Sequence, residues 1–263
     1  MSRASLCLCI IVLSAFARST AAQSQPPDEP VANPARPTVS TPATLTPVGY
    51  LQFESGVLGA TDSPEFSTWY NFNEVIKLAV APRLQLIAST QPFTYYTDTG
   101  VTGSGTGGVS LGAQAVVLRG EGAKPTLAVS YFRSVYGGDT PDLDIGSPTN
   151  TVIILVSADV KGFHYDTNAL FNEVSEGPVR RAQYAQTLSI SHPIAGSFGL
   201  TAEIYHFSQP FLRSNAVDTL WAVTYTPRKN LVFDIGLNRG FTHTSTQWES
   251  FVGFTYLLPH RLW

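Results

Sequence analysis

The sequence contains very few cysteines, and both lie close to its start. Cys7 and Cys9 are the two cysteines of the 263-residue chain. Both fall within residues 1–22, which have the pattern of a secretory signal described below. Residues 23–263 can therefore form no disulfide, no thiolate metal site and no thiol nucleophile. An exported protein of this size without disulfides must obtain its stability from a large sheet or from a membrane.

Long hydrophobic runs and an excess of positive charge are also missing. After residue 22 no stretch reaches about 18 consecutive apolar residues, which excludes an inner-membrane protein built of helices. The mean hydropathy is +0.05. A transmembrane β-barrel remains compatible with that value, because its polar lumen residues hide the apolar band from averaging. The formal net charge of −3 provides no basic surface for nucleic acid.

The beginning of the sequence divides into two segments of different composition. Arg3, the apolar run from Leu6 to Phe16, and small residues before Gln23 are typical of a secretory signal peptide over residues 1–22. Residues 23–48 are rich in Pro, Ala, Thr and Ser without apolar periodicity, so we expect a Pro-rich periplasmic lead-in. The sequence leaves open whether this lead-in fills a barrel lumen or hangs in the periplasm.

From residue 49 onward, apolar and polar residues alternate in short runs. Phe163, Tyr165 and Phe171 share one face of such a run, whereas His164 and Asp166 share the other. The runs have roughly the ten-residue length that a tilted membrane strand needs. We therefore predict an all-β fold over residues 49–263, a transmembrane antiparallel β-barrel of about 12 strands. The runs cover 49–60, 66–79, 84–95, 107–118, 125–136, 149–160, 163–174, 183–192, 198–207, 214–225, 231–241 and 247–258.

The connections between the runs alternate in length. Those after even-numbered runs are tight, as at Lys161-Gly162, whereas several after odd-numbered runs are longer, as at 97–106 and 137–148. A barrel with both termini in the periplasm has short periplasmic turns and longer external loops. The pattern therefore predicts an outer-membrane barrel in this orientation.

Assigning alternate residues to opposite faces predicts which side chains face lipid and which face the lumen. Glu74 falls on the apolar phase of its run, which suggests a bulge or a rim position, and the run 214–225 fits either phase. The lipid-facing set includes Leu51, Phe53, Val57, Leu84, Leu86, Val109, Leu111, Val117, Leu127, Val129, Tyr131, Val152, Ile154, Val156, Leu231, Phe233, Ile235 and Leu237. The inward set includes Gln52, Glu54, Asn71, Asn73, Lys77, Gln85, Gln114, Asp159, His164, Asp166, Asn168, Glu203, Asp234 and Asn238.

Four charged residues of the inward set are candidates for an ionic constriction. Rings of charged side chains select permeants, so Glu54, Lys77, Glu203 and Asp234 could set the selectivity of a pore. The alternative is a paired network that stabilises the barrel interior without touching a permeant.

The other candidate lumen residues, His164, Asp166 and Asn168, form a polar row on one run. His164 and Asp166 are expected to lie roughly 7 Å apart, too far for a direct hydrogen bond. A catalytic site would need a third partner from a neighbouring strand. Gly103 to Gly108 matches the letters of a dinucleotide fingerprint, but a strand follows it rather than a helix, so we assign a loop. The residues predict no cofactor.

Several short segments, in the same order along the chain, resemble a known set of proteins. They are 36–42 running into 49–56, then 108–113, 200–205, 231–236 and 251–256. These segments resemble a transporter-like family of bacterial outer-membrane proteins that is associated with the MetA pathway of phenol degradation. The resemblance implies an outer-membrane barrel that passes hydrophobic or aromatic compounds. One departure is the end, where Leu257 to Trp263 continue past the family's usual closing aromatic and leave the assembly signal unassigned.

Our leading hypothesis is a channel or facilitator for small molecules in the outer membrane of a Gram-negative bacterium. Its expected partners are outer-membrane lipid, the barrel-assembly machinery and a small-molecule permeant, with no nucleic acid. One alternative is an outer-membrane enzyme acting on lipid or peptide, which requires a Ser or acid partner for His164 or His206. Another is a structural surface barrel, which should have long external loops. A soluble lipocalin-like binder fits worst, because its lipid-facing rows would meet water.

Overall fold

A computed structural model describes residues 29–139 and 147–263, and it forms strands joined by turns and loops. In these two ranges no helix is long and apolar enough to span a membrane. The strands are β1 (Leu51–Thr61), β2 (Thr68–Ala81), β3 (Leu84–Asp98), β4 (Val101–Gly105), β5 (Val109–Leu118), β6 (Thr126–Tyr136), β7 (Ser147–Val160), β8 (Phe163–Glu176), β9 (Val179–Ala195), β10 (Phe198–Gln209), β11 (Ser214–Arg228), β12 (Leu231–Gly240) and β13 (Trp248–Leu257).

Twelve of these strands close into an antiparallel barrel. β1 pairs with both β2 and β13, so the sheet has no open edge across the ring. The register at the closure runs from Gln52 opposite Leu257 to Thr61 opposite Trp248. The predicted fold class is therefore confirmed. The short strand β4 was not predicted, and it pairs with β3 to form a hairpin beside the ring.

The connections confirm the predicted alternation at one end of the barrel. Two-residue turns join β2 to β3, β7 to β8, β9 to β10 and β11 to β12, and we call this the inner end. Lys161 and Gly162 both have positive φ, as a type I′ hairpin turn requires. At the outer end most connections are longer. Two are short: Thr99-Gly100 joins β3 to β4, and Gly177-Pro178 joins β8 to β9, which extend further than the predicted runs.

The structure also confirms the two predicted faces. Apolar side chains such as Ile154 and Ile235 are exposed on the outer surface, whereas Gln52, Glu54 and Gln114 are buried inside. On β11 the inward residues are Ala216, Asp218, Leu220 and Ala222, which settles the phase of the tenth run.

Glu74 faces outward, as its position in the alternation predicts, and lies beside a register shift in the β2–β3 pair. The shift falls between Phe72 and Glu74, so the predicted bulge is present. Ser55 on β1 donates a hydrogen bond to the Glu74 carboxylate and partly satisfies its charge.

Replacement of Ile154 by arginine tests the lipid-facing assignment. Ile154 is 45% exposed at the middle of β7. We expect Ile154→Arg to lower the free energy of unfolding by about 2–4 kcal/mol, because arginine at the bilayer midplane must leave water. Val179→Arg, at the outer end of β9, is the control and should cost no more than about 1 kcal/mol. Denaturant titrations in lipid vesicles measure both, and equal costs would contradict the assignment.

Candidate functional site

The Pro-rich lead-in enters the barrel from the inner end, reaches the middle of the lumen and returns. The backbone N–H of Ala32 donates to Lys229 O in the β11–β12 turn, and that of Gly49 donates to Ala79 O. Between these points residues 39 and 40 contact Glu203, at the middle of β10. We call residues 32–48 the lumen segment. Of the two positions that the sequence left open for the lead-in, residues 32–48 occupy the lumen, where polar side chains of the barrel wall bind their backbone.

The lumen segment depends on the barrel wall for its hydrogen bonds. It contains four prolines and joins no strand, so its remaining N–H groups need acceptors from elsewhere. Inward side chains of five strands provide them. The bonds run from Asn33 N to Gln52 (2.8 Å), Ala35 N to Glu54 (3.2 Å), Val39 N and Ser40 N to Glu203 (both 2.7 Å), Thr41 N to Asn168 (2.6 Å), Ala43 N to Ser157 (2.7 Å) and Thr46 N to Gln85 (2.9 Å).

Glu203 holds the innermost part of the lumen segment with both carboxylate oxygens. Its Oε2 accepts from Val39 N, and its Oε1 accepts from Ser40 N and from Ser40 Oγ at 2.6 Å. Ser40 Oγ also lies 2.7 Å from Thr187 Oγ1 on β9. Glu203 is only 4% exposed. Charge-assisted hydrogen bonds of this kind are roughly twice as strong as neutral ones.

Arg36 forms the second anchor of the lumen segment. Its guanidinium donates to both oxygens of Asp234, from Nε at 3.0 Å and from Nη2 at 2.8 Å. The guanidinium lies over Gly56 on β1 and Gly253 on β13, which are directly paired across the barrel closure. A Cβ added to either glycine would lie within 2.4–2.5 Å of guanidinium atoms, so only glycine leaves room for Arg36 here.

Glu54 joins the lumen segment to a cation of the barrel wall. Its carboxylate forms an ion pair with Lys77 on β2, and it accepts hydrogen bonds from the Gln52 side chain and from the backbone of residues 35 and 36. Both Glu54 and Lys77 are almost fully buried. The lumen thus contains two ion pairs in this state, Lys77 with Glu54 and Arg36 with Asp234.

The histidine cluster lies at the inner end and differs from the expected geometry. His164 Nε2 lies 3.2 Å from Asp166 Oδ2, and His164 Nδ1 lies 2.7 Å from Asp159 Oδ1. The expectation of about 7 Å was wrong, because that value is the backbone repeat, whereas side chains of this length lean along the strand and meet.

The two histidines considered for catalysis have no serine among their hydrogen-bond partners within residues 29–139 and 147–263. His164 does have acid partners, Asp159 and Asp166, but they lie at the inner end, whereas the enzyme alternative places the pair near the outer leaflet. His206 binds the amide side chains of Gln186 and Asn215. Ser157 Oγ donates to Asp166 rather than to a histidine ring. The described residues also contain no cluster of three or more His, Cys, Asp or Glu side chains arranged for a metal ion.

The lumen segment lies between two cavities. The outer cavity has a volume of about 270 Å³ and is lined by residues that include Val39, Tyr205, Phe207, Gln209 and Asp218. The inner cavity has a volume of about 330 Å³, and its lining includes Arg36, Pro37, Thr38 and Pro42 as well as His164 and Asp166. Residues 36–42 therefore contribute to the floor of one cavity and the roof of the other.

All seven predicted lumen residues lie on the inward face, but the sequence did not reveal what they bind. Glu54, Asn168, Glu203 and Asp234 contact the lumen segment directly, whereas Lys77 acts through Glu54. Arg36, Ser157 and Thr187 were missed. Arg36, the single cation between Gln23 and Lys77, was the available signal, because a lone charge in a Pro-rich segment needs a partner.

Comparison with known proteins supports the fold. No protein-family model and no curated protein matches the sequence. Among solved structures the chain is similar to an outer-membrane channel from Pseudomonas putida F1, with 11% identity and a TM-score of 0.61 over 82% of this chain and 98% of that one. It is also similar to the NanC porin, with 8% identity and a TM-score of 0.56 over 79% and 100% of the two chains.

A third similar structure is the KdgM porin in complex with disordered oligogalacturonate. It has 12% identity and a TM-score of 0.53 over 79% of this chain and 98% of that one. At such identities the likeness establishes the fold, which is a 12-stranded barrel of the outer-membrane type. These three neighbours are outer-membrane channels and porins, but none of the comparisons assigns the chain to the phenol-degradation family.

Removal of Arg36 tests the anchor at Asp234. Arg36→Ala leaves a buried carboxylate without its cation, so we expect the free energy of unfolding to fall by about 3–5 kcal/mol. The double variant Arg36→Ala/Asp234→Ala removes both charges and should recover most of that loss. Denaturant titrations of the three proteins measure the difference. A single variant that costs under about 1 kcal/mol would show that Arg36 is not held in the lumen.

Proposed function

We propose that the protein is an outer-membrane channel or facilitator for small molecules, closed in this state by its own lumen segment. The observation that carries the proposal is the position of residues 36–42 between the outer and inner cavities. Displacing this short stretch would join the two cavities into one path along the barrel axis. A barrel of about 12 strands is intermediate between barrels filled by side chains and open porins.

The contacts of the lumen segment suit a removable closure. They are mostly hydrogen bonds from backbone N–H groups to wall side chains, without any strand pairing. When the segment leaves, water can satisfy the donors and the acceptors alike, so the net cost is far below the gross strength of the bonds. Apolar packing of the segment involves Val39, then Ala43 and Leu45, and Ala32 at the inner end.

The four charged candidates would serve two roles in succession. With the segment in place, Glu54, Glu203 and Asp234 bind it. With the segment displaced, Arg36 leaves with it, and the wall keeps these three carboxylates and Lys77. Such a net-negative ring would favour cationic and neutral permeants over anions. The stabilising network and the ionic constriction, which the sequence offered as alternatives for these residues, are then the closed and open states of one site.

The remaining assignments belong to the same proposal. The signal peptide over residues 1–22 is removed on export, the barrel-assembly machinery inserts residues 49–263, and the inner end faces the periplasm. Outer-membrane lipid covers the exposed apolar band that includes Ile154 and Ile235. The resemblance to the phenol-degradation family supports small hydrophobic or aromatic permeants, and the similarity to an outer-membrane channel supports the channel function.

A reversible crosslink between the lumen segment and the wall tests the proposal. The chain from Gln23 onward contains no cysteine, so a pair introduced by Ser40→Cys and Thr187→Cys is the only one present. The two hydroxyl oxygens lie 2.7 Å apart, which places the cysteines in range of each other. In planar bilayers we expect the oxidised double variant to be closed and the same protein to conduct once the disulfide is reduced.

The single variant Ser40→Cys is the control, because it changes the segment without allowing a crosslink. It should conduct to the same extent under oxidising and reducing conditions. Equal conductance of the oxidised and reduced double variants would overturn the proposal that the segment is the closure. Absence of channels in the unmodified and reduced proteins, with folding shown by heat-modifiable gel migration, would overturn the channel function itself.

A further inference from the structure

The outer cavity contains buried acceptors without donors. Gln209 is 5% exposed, and its Nε2 donates to Thr244 O at 2.9 Å. A backbone carbonyl only accepts, so this bond fixes the orientation of the amide and makes the free atom its carbonyl oxygen. That Oε1 has no hydrogen-bond partner, and neither does Oδ1 of Asp218, which is 6% exposed. Buried acceptors of this kind are costly unless something donates to them.

The charge of the outer cavity is of one sign. Asp218, Glu65 and Glu249 contribute to its lining, and none of the lining residues is Lys, Arg or His. Arg239 on β12 is engaged elsewhere, since its guanidinium stacks over the Trp248 ring at 4.5 Å and donates to Gln247 O. The cavity therefore attracts cations and repels anions, and the low dielectric of a narrow site strengthens this preference.

One wall of the outer cavity is apolar and aromatic. Tyr205 and Phe207 meet edge to face, with ring centroids 5.9 Å apart and an interplanar angle of 86°. Val39, at the innermost part of the lumen segment, and Ala216 complete this wall. Aromatic faces bind hydrocarbon, and they also attract ammonium groups. The volume of about 270 Å³ suits a small molecule rather than an oligomer.

We propose that the outer cavity is a binding site for a small organic cation, an ammonium group joined to an apolar or aromatic body. The ammonium donates to Gln209 Oε1 and to the Asp218 carboxylate, and the body packs against Tyr205, Phe207 and Val39. We further assign this cation as the permeant, and that assignment rests on the proposed channel function. The outer cavity is then the first binding site on the path inward.

Isothermal titration calorimetry with three probes of the same body tests the site. Phenethylammonium is the cation, 2-phenylethanol is neutral and phenylacetate is the anion. With the full-length protein purified in detergent, we expect phenethylammonium to bind at least about tenfold more tightly than either of the others, because a charge-assisted hydrogen bond is stronger than a neutral one. Equal affinities for the three probes, or no phenethylammonium binding at millimolar concentration, would overturn the proposal.

Two variants of the cavity and one distant control locate the binding. Asp218→Asn removes the charge and Gln209→Met removes the free acceptor, and each should weaken phenethylammonium binding by about tenfold or more. Glu121→Gln removes one negative charge from an exposed turn at the inner end and should leave the affinity unchanged. Binding that both cavity variants leave unaltered would place the cation elsewhere and overturn the site.

The crosslinked protein separates this inference from the channel proposal. The outer cavity lies above residues 39 and 40, so the oxidised Ser40→Cys/Thr187→Cys variant should still bind phenethylammonium selectively. If the protein binds phenethylammonium selectively but never conducts, the binding-site proposal stands and the channel proposal is overturned. If the protein conducts but binds the cation no more tightly than the other probes, the channel proposal stands and the binding-site proposal is overturned.

Discussion

The structure depends on one reciprocal constraint, the hydrogen bonding between the lumen segment and the wall that surrounds it. A Pro-rich chain without strand pairing has N–H groups that need acceptors, and a barrel wall rich in Gln, Asn, Ser and Glu has acceptors that need donors. Without the other, the N–H groups of the segment and the acceptors of the wall would both lack partners in a dry interior. Here the N–H groups donate to the wall acceptors, so both are satisfied. The clearest case is Glu203, whose two oxygens bind the backbone of residues 39 and 40.

The same constraint connects closure of the barrel with closure of the lumen. Arg36 lies over Gly56 and Gly253, the paired glycines where β1 meets β13, and it reaches Asp234 on β12. The anchor therefore requires the ring to be closed in its native register. Because water can satisfy the same donors and acceptors once the segment has left, the lumen segment can be firmly placed and still be displaceable, as the proposed gated path requires.

The sequence was sufficient for the barrel and insufficient for its contents. Period-2 alternation, as in Phe163, Tyr165 and Phe171 against His164 and Asp166, reports directly which face meets lipid, so the strands and the inward residues were predictable. Residues 32–48 have no such period, and their position is decided by contacts with strands up to 198 residues away in the sequence. The His164–Asp166 contact failed as a prediction because backbone spacing does not report where side chains lean.

Amide hydrogen exchange of Val39, Ser40 and Thr41 in the folded barrel tests the central claim most directly. These N–H groups donate to the buried side chains of Glu203 and Asn168. We therefore expect them to exchange far more slowly than in an unstructured peptide. These amides should exchange only when the lumen segment leaves its site, and their exchange should be nearly as slow as that of the neighbouring β10 amides. Exchange of all three at the rate of an unstructured chain, in a barrel shown to be folded, would contradict the account.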